Sequence, residues 1–190
     1  MIYIAIGALG FTVICLFDII SLKGIAKAKP VTLALGSGLL IYSLVMICLA
    51  PDRLLLPMWL TWLGWGLLAV SLPLLGHSLF ISLPFRKTYV TPGVGDRLIT
   101  TGVYALVRHP GVLWFGLVML SLILVSRSSL LLIAAPIFIL LDIVLVVIQD
   151  KLVFGRMFGG YDSYRRETPM LLPNRRSVIA FLHSLRQARS

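Results

Sequence analysis

Charge is scarce in this chain. Of its 190 residues 13% are charged and 59% hydrophobic, and the mean hydropathy is +1.00. Soluble domains carry about 25% charged and 45–50% apolar residues, so a water-soluble globular domain is excluded and a bilayer is the expected solvent. Cysteine is scarce too. Cys15 and Cys48 both lie inside apolar runs, which leaves neither a disulfide framework nor a CxxC metal site, and both read as small core hydrophobes. There is no Gly-rich phosphate loop, which counts against a membrane reductase using a nicotinamide cofactor. No basic n-region precedes the first apolar run, so a retained anchor is expected there rather than a cleaved signal. Neither an internal repeat nor a low-complexity segment is evident.

What the chain does have is long apolar runs. Residues 2–22 are interrupted by Asp18 alone and end at Lys23, Lys27, Lys29 and Pro30; residues 31–50 carry no charge. Residues 58–83 form a third run, with Trp59, Trp62 and Trp65 grouped as an interfacial aromatic belt and Pro73 placed to kink it. Residues 111–126 and 129–148 are separated only by Arg127-Ser128, a connection short enough to require an antiparallel hairpin. Each run approaches the roughly 20 residues that cross the hydrocarbon. Lys and Arg number three after the first run, one after the second, four after the third, one after the fourth and eight after the fifth. Fifteen of the 17 therefore fall in alternate connections, the asymmetry of cytoplasmic loops.

The expectation is an all-α integral membrane protein of five transmembrane helices, N-terminus out and C-terminus cytoplasmic, residing in a bacterial cytoplasmic membrane. The same asymmetry accounts for the net charge of +10 without a nucleic-acid partner. The chain divides into three spans (1–84), a core of loop, hairpin and closing segment (85–173), and a basic tail (174–190). In the tail Val178, Phe181, Leu182 and Leu185 form an apolar stripe flanked by Arg175, Arg176, Arg186 and Arg189, as in an amphipathic helix lying at the interface; a frayed tail is the plainer alternative.

Polar chemistry concentrates between the third and fourth runs. Thr91-Pro92-Gly93 and Gly95-Asp96 read as turns, and Leu98-Ile99-Thr100-Thr101-Gly102-Val103-Tyr104-Ala105-Leu106-Val107-Arg108-His109-Pro110 leads into the fourth run. Alone, Arg-His-Pro reads more readily as an interfacial arginine and a satisfied histidine capping a helix that begins at proline than as a site. After the hairpin come Phe158-Gly159-Gly160-Tyr161-Asp162-Ser163-Tyr164 and Thr168-Pro169. These two motifs, in this order and at this separation, resemble the isoprenylcysteine carboxyl methyltransferase and phospholipid methyltransferase family over residues 85–173.

The resemblance implies a membrane enzyme that moves a methyl group from S-adenosylmethionine, bound in a cytoplasmic pocket, to an acceptor arriving through the bilayer. The cofactor would be held by Asp96, Arg97, Leu98 and Ile99, by Tyr104, and by Arg108, His109, Pro110, Gly111 and Val112. Tyr161 and Tyr164 would close over it. The family's closing Glu aligns with Asp150 or with Gln149, depending on the frame. Asp150 is preferred because a carboxylate can meet the cofactor's ammonium with a charge-assisted bond, whereas Gln149 offers only a neutral one. The sequence departs from the family at Val112 and Trp114, where Tyr and Gly are usual. It departs again at Val146 or Leu145, where carboxyl-methylating members carry an Arg, which argues against a prenylcysteine carboxylate as acceptor.

His109 is the expected proton acceptor, and Asp142, on the helix face shared with Gln149 and Asp150, is the second catalytic candidate. A structural acid bonded to Ser or Trp of a neighbouring span is the equal alternative for Asp142. Asp18 is expected to pair with Lys23, and His77 to be a satisfied core group. The function implied is methyl transfer to a lipid or small apolar acceptor, without a metal. The alternative is a non-catalytic membrane protein of the same fold that binds a lipid or partner protein.

Overall fold

The computed structural model describes residues 1–23, 25, 28–81 and 98–187. Lys27, the turns expected over 91–96, Asp96, Arg97 and Arg189 lie outside the described residues. Within them the fold is all-helical, and four helices are long and apolar enough to cross a membrane: Ile2–Leu22, Ala28–Cys48, Met58–Phe80 and Ser129–Met157. A shorter apolar helix, Pro110–Ser126, accompanies them. At 17 residues it extends about 26 Å, a little under the roughly 30 Å hydrocarbon thickness.

The elements are α1 (Ile2–Leu22), α2 (Ala28–Cys48), α3 (Met58–Gly76) with a π-helical turn at His77–Ile81, α4 (Val103–Leu106), α5 (Pro110–Ser126) and α6 (Ser129–Ile148). A second π turn at Gln149–Val153, α7 (Phe154–Met157), α8 (Tyr161–Glu167) and α9 (Arg175–Gln187) follow. Pro30 sits in the first turn of α2, where its missing N–H has no intrahelical partner to lose. The π turn after α3 begins four residues beyond Pro73.

Apolar residues alone cannot select helix neighbours in lipid, so close backbone approach and interhelical hydrogen bonds do so. A Cβ on Gly10 would stand 2.9 Å from the Gly36 carbonyl, so α1 and α2 touch backbone to backbone. The Phe138 ring lies against Gly7. Ser43 Oγ donates to the Tyr3 carbonyl at 2.7 Å. On α3, Gly64 admits Leu124 of α5. The core between these helices is filled by Ile47, Met119, Leu131 and Phe138, all fully buried, with Phe11 edge-on to Phe115 at 6.0 Å. Leu9, Ile41, Trp62 and Leu140 face outward, as in a chain whose solvent is hydrocarbon.

The α5–α6 hairpin turns at Arg127 in a left-handed conformation (φ 56°), and Ser128 caps α6 by accepting from the Leu131 N–H at 3.3 Å. The same hydroxyl donates to the Ile47 carbonyl at 2.7 Å, tying the hairpin to the end of α2. At the other end of the bundle lie the start of α5, the end of α6, and the C-terminal segment.

Three expectations change here. Asp18 is buried and accepts from Gln149 Nε2 at 2.9 Å rather than pairing with Lys23, because it sits on the face of α1 turned toward the π turn of Gln149. His77 lies exposed on the π turn and not in the core. In α9 one residue of the expected stripe, Phe181, packs with Ser177 and Ser184 against protein, while Val178, Leu182 and Leu185 point outward.

Candidate functional site

Four segments meet at Asp150. The π turn carries one extra residue per turn compared with an α-helix, the kind of local irregularity that often marks functional positions, and it sets Asp150 inward at 4% exposure. Arg108 forks onto this carboxylate, Nε to Oδ1 at 2.9 Å and Nη2 to Oδ2 at 3.1 Å. Tyr161 Oη donates to Oδ1 at 2.5 Å, and Arg165 Nε stands 3.3 Å from Oδ2. Three hydrogen bonds and a second guanidinium nearby compensate the carboxylate's buried charge.

Arg108 has a second task. Its Nη1 donates to the carbonyls of Arg165 (2.8 Å) and Thr168 (2.6 Å). The backbone adds to this: Arg108 N–H meets the Pro169 carbonyl at 2.9 Å and His109 N–H meets the Met170 carbonyl at 3.1 Å. The segment after α8 is thereby strapped alongside residues 108–109. Gly160, in the left-handed region at φ 81°, lets α8 start close behind α7 and brings Tyr161 and Tyr164 to the same place.

Tyr164 Oη donates to the Tyr104 carbonyl at 2.6 Å, and Tyr104 Oη donates to the Ser78 carbonyl at 2.8 Å, linking α8, α4 and the end of α3. Burial raises both the Tyr161 and the Tyr164 phenols above their ordinary value. For Tyr161 the hydrogen bond to Asp150 and the carboxylate's charge push the same way.

His109 precedes α5, whose first residue is Pro110. Its ring stacks on Phe154 (5.7 Å between centroids, 16° between planes), and Phe154 also meets Phe158 and Tyr161 edge-on. Nε2 lies 3.5 Å from Asp150 Oδ1 without an aligned hydrogen bond, so this buried ring nitrogen has polar capacity unused. The Trp114 indole N–H is likewise buried without a partner.

Of the residues expected at the site, Tyr104, Arg108, His109, Asp150, Tyr161 and Tyr164 come together, with Pro110 buried beside them. Gly111 approaches Leu79 of the π turn, Val112 is buried, and Leu98 and Ile99 are half-buried. Gln149 turns away to Asp18. Asp142 is half-buried along α6 and makes no hydrogen bond or ion pair with the described residues, including the Ser and Trp side chains of its neighbours. The carbonyls of Ser78, Arg165, Thr168, Pro169 and Met170 and the Phe154 ring were not anticipated as parts of the cluster. Phe158-Gly159-Gly160 was the available signal for the ring wall, and Thr168-Pro169 for the strap.

The site therefore combines a saturated buried ion pair, an aromatic wall and one orphaned ring nitrogen, at the end of an apolar bundle. Comparison with family models, with curated proteins and with solved structures finds no match for this chain.

Proposed function

We propose that this chain is an integral-membrane methyltransferase that takes a methyl group from S-adenosylmethionine and delivers it to a lipid or small apolar acceptor. The observation that carries the reading is the buried His109 Nε2, 3.5 Å from Asp150 without an aligned hydrogen bond and against the Phe154–Tyr161 wall. A buried polar atom without an aligned partner suits a site with a polar guest, since buried polar groups are ordinarily paired. Aromatic faces suit a sulfonium and a purine.

In this reading Tyr104, His109, Pro110, Gly111 and Val112 hold the cofactor, with Leu98 and Ile99 alongside; Asp96 and Arg97 precede them in sequence. The cofactor supplies a sulfonium methyl that is already activated. What remains for the chain is to exclude water, align the acceptor and take its proton, for which His109 is placed; such alignment contributes on the order of 7–11 kcal/mol in favourable cases. Arg108 and Asp150 act by positioning the closing segment that carries Tyr161 and Tyr164. Gln149 supports them through α1. Asp142, two turns up the helix, belongs to the acceptor's route from the bilayer. The topology that goes with this reading has α1, α2, α3, α5 and α6 as five spans, N-terminus out, with the Asp150 end cytoplasmic.

One observation favours a second reading, a non-catalytic membrane protein that binds a lipid or partner protein. Asp150, expected to meet the cofactor's ammonium, is already taken by Arg108 and Tyr161, so an ammonium would have to displace the half-exposed Arg165. Equilibrium binding of labelled S-adenosylmethionine to the detergent-solubilised protein separates the readings. Saturable binding that weakens at least tenfold in His109→Ala is expected; absence of binding at millimolar cofactor refutes methyl transfer. Binding without passage of labelled methyl to membrane lipid, protein or small molecules selects the second reading.

A further inference from the structure

α9 begins with a reciprocal cap, Ser177 N–H to Asn174 Oδ1 at 2.9 Å and Asn174 N–H to Ser177 Oγ at 3.0 Å, which fixes where the helix starts and how it is rotated. Its inner face, Ser177, Phe181 and Ser184, rests on α4, and Ser184 Oγ accepts from the Gly102 N–H at 3.1 Å. α4 in turn carries Tyr104, whose hydroxyl reaches the end of α3. α9 therefore lies at the Asp150 end of the bundle, at the level where the apolar helices stop.

The outer face has no protein partner among the described residues. Val178, Ile179, Leu182 and Leu185 are 39% to 51% exposed there. Arg175, Arg176 and Arg186 stand among them, and α9 contains no Asp or Glu. A depression on this face is lined by Ile179, Leu182, His183 and Arg186. The surrounding end of the bundle adds Lys151, Arg156, Arg165 and Arg166, all exposed, against Asp162 and Glu167. Water would leave four large apolar side chains solvated at no gain, and an acidic soluble protein would leave them equally unexplained. A bilayer surface with negative headgroups takes both: acyl chains receive the apolar residues while arginines snorkel to phosphate.

We propose that the outer face of α9 docks on anionic phospholipid headgroups of the leaflet at the Asp150 end, and that docking steadies the Gly102–Tyr104 segment through Ser184. Docking of α9 is independent of the chemistry performed at Asp150.

The test uses the full chain carrying Cys15→Ala, Cys48→Ala and Leu182→Cys, labelled with an environment-sensitive fluorophore and placed in nanodiscs. Discs of phosphatidylcholine are compared with discs that also contain phosphatidylglycerol. Blue-shifted emission, quenched by brominated acyl chains, is expected in the anionic discs. It should be reversed by raising salt from about 0.1 to 1 M, which shortens the screening length from about 10 to 3 Å. Replacing Arg175, Arg176 and Arg186 by Gln should lower the docking equilibrium about a hundredfold, and replacing them by Lys should largely retain it. Hydrogen exchange of residues 102–107 should slow with anionic lipid in the parent and not in Ser184→Ala. Emission that ignores lipid charge and salt overturns the proposal. So does emission that follows the number of copies per disc, which would make a second copy the occupant, and unchanged exchange in the parent overturns the relay.

Discussion

The two ends of the bundle hold arginine in opposite ways. At the hairpin end Arg53 Nη1 donates to the carbonyls of Cys48 (2.7 Å) and Ser126 (2.5 Å), and Arg127 Nη2 donates to that of Leu56. Around them the loops exchange backbone bonds, Leu54 N–H to the Arg127 carbonyl and Ser129 N–H to that of Asp52. Among the described residues no carboxylate pairs with either arginine. At the other end Arg108 grips a buried carboxylate and the strap carbonyls at once. The difference lies in what is stranded when the arginine goes. Carbonyls near the surface find water, whereas Asp150 is left as a buried unpaired charge, so the first end is a staple and the second a keystone.

The comparison breaks most visibly at Arg108→Met. Removing one partner of a buried pair costs about 3–5 kcal/mol, and unfolding in mixed micelles should shift by that amount, with loss of protection in residues 165–170. Next is Tyr161→Phe, which takes a donor from an ionised acceptor and should cost about 1.5–3 kcal/mol in the same assay. This variant also has a pH signature. Because folding raises the Tyr161 phenol above its ordinary 10, its contribution is complete below pH 10 and is lost as pH climbs beyond it. The parent should therefore weaken in alkali more steeply than Tyr161→Phe. Smallest is Arg53→Met at the hairpin end, about 1 kcal/mol, since its side chain is exposed. An Arg53 effect equal to that of Arg108 would erase the distinction.

Much of this arrangement is legible in the residues. The helices coincide with the apolar runs because hydrocarbon tolerates few alternatives to a hydrogen-bonded helix, and Arg127-Ser128 leaves no length for anything but a hairpin. Asp150 rather than Gln149 joining Arg108 follows from charge. Its actual partner does not: the expectation supplied an ammonium from outside, and the chain supplies its own guanidinium. Thr168-Pro169 marked where the strap lies, but its bonding to Arg108 was not legible, because every residue offers a carbonyl and no side chain announces which one accepts. Asp18 was matched to Lys23 by proximity in sequence, whereas its partner Gln149 is set by the rotation of α1, which one-dimensional spacing does not reveal. The stripe on α9 was visible, but periodicity cannot say whether protein or lipid covers it.

The sequence separation within the keystone sets a schedule for its birth. Asp150 lies 42 positions after Arg108 and Thr168 lies 60 positions after it. At about 5–20 residues per second, a growing chain exposes an unmatched guanidinium for roughly 2–8 s before its carboxylate is synthesised, and for roughly 3–12 s before the strap carbonyl is. During that interval α5 exists without the carboxylate and strap that close the end of the bundle beside it. Quality-control machinery that inspects newborn membrane helices would therefore see this arginine before its partner exists.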